Sequence, residues 1–232
     1  MTKTYDDIMN IRLIGYTQPD EDLDIEDLED VQDLIAYCAK VSNPQFQTDF
    51  SRADKLLNYL VQHQHWSPFE MASATMEVTT TRDIARQFLR HRSFSFQEFS
   101  QRYANPQDMA TSFVLREARL QDMNNRQNSI EITAETEDDR FTIAEWNRRQ
   151  QEVIDLVKEN YDWAIAAGIA KEQARSILPE GNTVSRLYAN GTIRSWIHYT
   201  ELRSANGTQR EHMALAIACA SAIAKIFPLI KQ

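Results

Sequence analysis

Residues 73–81 alternate Ala74, Met76 and Val78 with Thr75, Glu77 and Thr79, the period-two pattern of a half-buried strand carrying β-branched side chains. At Thr81 or Arg82 the period changes. Ile84, Ala85, Phe88 and Leu89 then recur at helical spacing up to about residue 92 and mark a face that packs inward. A strand that feeds straight into a helix is a rigid platform, and the rest of the chain has to be organised around it. The same helix carries Arg82, Arg86 and Arg90 four residues apart, which predicts a second ridge. Guanidinium is a planar, permanently charged fork suited to bidentate pairing with phosphate or carboxylate, so the ridge reads as an anion clamp.

The charge of this stretch opposes that of the chain. Residues 82–103 hold five arginines and two acids, in a protein of formal net charge -9. Downstream, Ser93, Ser95, Gln97, Glu98 and Ser100 interleave with Phe94, Phe96 and Phe99 before Arg102 and Tyr103, a segment able to wrap a ring-plus-phosphate ligand. The plain alternative is a solvated helix whose arginines pair with surface acids. Such pairs contribute only about 0–1 kcal/mol each and leave Arg90-His91-Arg92 unexplained. An acidic total also argues against a general nucleic-acid binder, which neutralises many phosphates. A nucleotide needs only a local patch.

With 232 residues, 25% charged and 42% hydrophobic, the chain is sized for one domain, or two at most, with a sizeable core. No apolar run approaches a membrane span, and the first residues lack the apolar core of a signal peptide. Cys38 and Cys219 have no partner spacing for a metal or redox site. A cytoplasmic protein with buried, inert thiols is expected. The pair His63 and His65 has no further ligand at metal spacing, so no metal is expected. Five glycines and no Gly-x-Gly-x-x-Gly exclude a dinucleotide held in the Rossmann manner.

Elsewhere the pattern predicts a first strand at 11–16, a helix starting near Asp24 among carboxylates that favour its positive end, and a stop at Val41-Ser42-Asn43-Pro44. A second amphipathic helix covers 52–62. Residues 112–120 look strand-like, 121–139 form a loop or short hairpin, and 142–168 form a long helix with Trp146, Val153, Val157, Tyr161 and Ala164 on a core stripe. A short helix ends at Ala174-Arg175-Ser176-Ile177-Leu178-Pro179. Residues 183–188 read as a strand, 189–191 as a turn, and Thr192 as the N-cap of a helix displaying Arg194, His198 and Glu201 on one face. The last helix runs over 208–227 with small residues on several faces.

Arg90-His91-Arg92, seven residues, then Ser100 resembles the signature of the flavin-dependent thymidylate synthases. Ala85-Arg86-Gln87 before it and Glu98, Arg102 and Tyr103 around the serine agree with that family, as does His65-Trp66-Ser67-Pro68-Phe69-Glu70, similar to its second motif. The resemblance implies a family-type α+β fold, a single domain over 1–232 with an antiparallel sheet flanked by helices. It implies flavin contacts at Ser42, His65, Ser67 and Glu70, at Arg90, His91, Arg92 and Glu98, and at Thr192, Arg194 and His198. It implies substrate contacts at Gln87, Arg90, Glu98 and Ser100, and at Gln101, Arg102, Arg175 and Arg203. Gln209 and Glu211 match the family's Gln-x-Glu. Met71, Gln97, Ala205 and Gly207 depart from its usual residues.

What the resemblance implies chemically is methylation of dUMP to dTMP, with methylenetetrahydrofolate as carbon donor, FAD as cofactor and NADPH as reductant, in a homotetramer with shared sites and without nucleic-acid or membrane partners. Arg203 is then the catalytic candidate, a cation at the pyrimidine edge that favours the anionic ring. Ser100 has no activating histidine in its segment, so it is read as a binding residue and not a nucleophile. Two rivals are a flavin- and folate-dependent C5-hydroxymethylase of pyrimidine nucleotides, and a non-catalytic nucleotide- or RNA-binding module using the arginines and phenylalanines.

Overall fold

In the computed structural model, residues 2–109 and 111–231 are described. Strand β1 is Asn10–Tyr16, followed by helices α1 (Val31–Ala39) and α2 (Ala53–Gln62). Strand β2 (Ser73–Thr81) runs directly into α3 (Arg82–Phe88), and β3 (Phe94–Glu98) returns beside it. A hairpin of β4 (Arg119–Gln121) and β5 (Ser129–Glu131) precedes the long α4 (Glu137–Ala166) and the short α5 (Lys171–Ala174). Strand β6 (Val184–Thr192) leads without a break into α6 (Ile193–Ser204), and α7 is Arg210–Ile223.

The main sheet has the order β1-β2-β6-β3 and every pairing is antiparallel. Its fold class is therefore α+β, as expected. Because side chains alternate along a strand, Met76, Val78, Leu187 and Ala189 point to a buried face, while Arg186, Tyr188 and Asn190 stay exposed. The buried face packs on α3, α6 and α7. At its centre Phe88 stacks on Tyr199 at 4.6 Å and Phe94 meets Trp196 edge-on at 4.6 Å. Trp196 Nε1 donates to the Ala74 carbonyl at 3.1 Å, so this large ring is buried without losing its hydrogen bond. A second core joins Phe113, Ile154, Tyr161, Ala164, Ala174 and Leu178 beneath α4 and α5.

The strand over 73–81 and the N-cap at Thr192, whose side chain accepts from Ser195 N–H at 3.2 Å, are as the sequence predicts. Other elements differ for identifiable reasons. Helix α1 begins at Val31, not near Asp24, because Asp30 caps it: Asp30 Oδ1 accepts from the N–H groups of Gln32 and Asp33 at 2.7 and 3.0 Å. Helix α3 stops at Phe88, because the chain must reverse before Phe94 to pair β3 with β6. Residues 189–191 are strand, not turn. Gly191 permits the close approach of the Phe94 ring, which would lie 2.5 Å from a Cβ built there. The long helix starts earlier, at a capping box on Thr136, and its inner face runs through Gln150, Ile154, Tyr161 and Ala164, leaving Trp146 and Val153 exposed. Between 112 and 118 only the bridges of Phe113 with Thr183 and Leu115 with Thr4 replace the expected strand. Cys219 is buried and Cys38 half-buried.

Candidate functional site

Strand β6 orders the candidate residues along its length. At its start, Ser185 Oγ donates to Glu98 Oε1 at 2.9 Å, and the same carboxylate faces Arg82 Nη1 at 3.4 Å and Arg86 Nη1 at 3.6 Å. Glu180 approaches Arg86 Nε at 3.4 Å. Arg82 is buried, so its role in an exposed ridge is corrected: burial pulls its guanidinium below the ordinary arginine value while Glu98 pushes back. The turn after β3 places Ser100, Gln101 and Arg102 at this end. Gln101 is buried with Nε2 lacking a partner among the described residues, and Arg102 Nε donates to Glu172 at 3.0 Å. Arg175 is exposed in the turn after α5.

At the other end of β6, the Thr192 cap sets the first turn of α6, where Arg194 pairs with Glu70. Ser67 and His65 are exposed on the segment leading to β2, and His198 meets Trp66 edge-on at 4.5 Å. Ser42 is exposed in the turn after α1. The span from Ser185 to Thr192 is on the order of 20 Å at ~3.3 Å per residue.

The most constrained group joins the turn after α3 to the last turn of α6. Arg203 Nε donates to His91 Nε2 at 2.9 Å. The acceptor nitrogen is unprotonated, so His91 carries its proton on Nδ1. Burial, then the Arg203 charge, lower its pKa to about 4, which keeps the ring neutral at pH 7. Beside it, Gln87 bonds Gln209 at 2.6 Å and faces His212 at 3.2 Å. Arg90 and Arg92, on either side of His91, are exposed and form no ion pair among the described residues. A pair of unpaired guanidiniums flanking a neutral imidazole can receive phosphate and still offer a hydrogen-bond donor to a ring.

Sequence reasoning missed His212 and Arg116. His212 is wholly buried, and its signal was a polar residue on the apolar stripe of Leu215, Ala216 and Cys219. Arg116 lay inside a stretch read as strand. Its Nη1 donates to Thr81 Oγ1 at 2.8 Å and to Asp83 at 3.2 Å, and its Nη2 meets Glu211 at 3.1 Å.

A family model described as thymidylate synthase complementing protein matches residues 25–229. A flavin-dependent thymidylate synthase of Synechocystis sp. is 46% identical over 222 residues, covering 96% of this chain and 97% of the relative. The chain belongs to the flavin-dependent thymidylate synthase family. A Paramecium bursaria Chlorella virus 1 protein named "Probable flavin-dependent thymidylate synthase" is 47% identical over 224 residues, 97% of this chain and 98% of its own. Among solved structures, a UMP/dUMP methylase, PolB, from Streptomyces cacaoi bound with 5-Br dUMP superposes with a TM-score of 0.76 at 25% identity, covering 96% of this chain and 92% of that one. Among the described residues no helix is long and apolar enough to cross a membrane, and no three His, Cys, Asp or Glu side chains group as a metal site requires.

Proposed function

We propose that this protein methylates dUMP at C5 to dTMP in the cytoplasm, taking the carbon from methylenetetrahydrofolate, with FAD and NADPH providing the reduction. The observation that carries this reading is the Arg203 to His91 hydrogen bond, which holds a cation and a neutral imidazole donor side by side between exposed Arg90 and Arg92.

The side chains fit a flavin dinucleotide in charge and donor chemistry. Arg90, Arg92 and Arg194 offset its two phosphates, and Ser67, Glu70, His65, Ser42 and Thr192 supply polar contacts. His198, packed on Trp66, gives a flat wall for a ring. When bound, FAD supplies the hydride that completes the methyl group, and that chemistry belongs to the cofactor.

The chain's own residues bind and polarise the nucleotide. Ser100, Gln101, Arg102 and Arg175 hold its phosphate. The unpartnered buried Nε2 of Gln101 supports this, since an unsatisfied donor costs stability unless a ligand completes it. Glu98, fixed by Ser185, accepts from a sugar hydroxyl or the flavin. Arg203 lies at the pyrimidine edge, where a cation stabilises the anionic ring that attacks through C5. A fixed charge of this kind acts without reorganisation. The separation of the groups along β6 is met by a homotetramer in which neighbouring copies complete each other's sites.

The test is an absorbance spectrum of the purified protein with FAD, then NADPH and dUMP without oxygen, followed by product analysis with methylenetetrahydrofolate. A bound flavin that bleaches faster with dUMP, and dTMP as product, is expected. Protein that takes up no flavin sinks the reading, and a hydroxymethylated nucleotide would make it the C5-hydroxymethylase.

A further inference from the structure

A chain of hydrogen bonds beside the candidate site has a direction that can be read from one end. Arg116 Nη2 donates to Glu211 Oε2 at 3.1 Å, so that oxygen, in a half-buried position, acts as an acceptor. Gln209 Nε2 donates to the same oxygen at 3.0 Å, which turns Gln209 Oε1 outward. Gln87 Nε2 donates to that oxygen at 2.6 Å, which leaves Gln87 Oε1 facing His212 Nδ1 at 3.2 Å. A carbonyl oxygen cannot donate. The proton therefore sits on His212 Nδ1, and every bond from His212 back to Glu211 points the same way.

We propose that His212 is a positioning residue that fixes the Gln87 amide for the nucleotide, a role that rests on the thymidylate synthase reading above. One hydrogen bond would let the amide swing about it. Two bonds on different atoms, Nε2 to Gln209 and Oε1 from His212, fix its plane. Gln87 then presents one remaining N–H and one remaining carbonyl lone pair to the ligand in a set orientation, and the substrate need not pay for ordering it. The imidazole suits the task because it is wholly buried against Tyr199, with ring centroids 5.8 Å apart, and so has little freedom of its own. Burial, then the charges of Arg203 and of His91, lower its pKa to about 3, so the donor stays neutral throughout the working pH range.

The experiment uses the flavin-loaded protein and measures dUMP affinity by calorimetry alongside KM and kcat. His212→Leu keeps an apolar body without the donor, and His212→Asn replaces the donor with an amide N–H. H212L is expected to raise the dUMP dissociation constant and KM about fivefold, as loss of one neutral hydrogen bond does, with flavin content and kcat little changed. H212N recovers most of the loss, and H212L adds nothing once Gln87 is already alanine. An unchanged dUMP affinity in H212L, or the same penalty in the Gln87→Ala background, overturns the proposal. If H212L does not fold, nitrogen-15 correlation spectra of the wild type decide it: a His212 proton on Nε2 reverses the relay and removes the role. Wild-type protein that binds flavin but no dUMP would instead overturn the synthase reading.

Discussion

The Nε–H of Arg203, in the last turn of α6, is bonded to Nε2 of His91, the residue at the centre of Arg90-His91-Arg92, at 2.9 Å. The bond ties a helix after β6 to the turn after α3, so two segments more than a hundred residues apart in sequence share one proton arrangement. Arg203→Lys keeps a positive charge and loses the planar fork. Turnover is expected to fall about a hundredfold, the scale of removing one fixed donor from a reacting centre. In Arg203→Ala the charge that holds His91 down is gone as well, and His91 should titrate at higher pH than in the wild type, as proton NMR would show. An unmoved His91 titration would mean that burial alone sets it.

Acid sensitivity follows from two histidines. His91 and His212 titrate near 4 and near 3, below the ordinary 6.5. Between pH 6.5 and 4 the unfolded chain binds protons at these rings and the folded chain does not, so stability falls as pH falls. Their contribution is complete above pH 6.5 and is lost through pH 4 for His91, continuing toward pH 3 for His212. Melting temperature measured across this range should slope downward with acid, and His91→Gln should flatten the slope. An identical slope in the variant would place the effect elsewhere.

Gly191→Ala tests the correction of the 189–191 turn. The new Cβ would meet the Phe94 ring at 2.5 Å, and that ring is confined by Phe88, Trp196 and Tyr199. Overpacking of this kind costs about 1–3 kcal/mol. Urea unfolding should show the loss, and a turn glycine free of contacts would show much less.

Glu98→Ala would leave the buried Arg82 guanidinium, among the described residues, with only the Glu180 carboxylate, whose oxygen is 4.0 Å away. Removing one partner of a buried pair costs about 3 kcal/mol. The flavin-free protein is expected to unfold at clearly lower denaturant. A loss confined to nucleotide binding, with stability unchanged, would show that Glu98 serves the ligand alone.

Much of the fold was legible because local rules agreed. The β-branched alternation of 73–81 has one satisfactory conformation, and Thr192 is a good N-cap wherever a helix follows it. The carboxylates of 24–30 misled because dipole arguments place acids near a helix start without saying which residue caps it, and Asp30 does so through its own side chain. Gly191 misled in the same way: its lack of a Cβ is used against a ring on a strand that sequence cannot place beside it.

By itself, the sequence determined the strand-to-helix platform, the local excess of arginine in an acidic chain, and the motifs that carry the family resemblance, all of which depend on residues within a few turns of one another. The tertiary structure decided which arginines are spent on the protein and which remain for a ligand. Arg82 is buried on the Glu98 carboxylate and Arg116 half-buried on that of Glu211, while Arg90 and Arg92 stay exposed. It also decided the protonation of His91 and His212, since each depends on a partner brought in from a distant segment and on removal from water. Residue type sets what a side chain is able to do; burial and partner set which proton it holds.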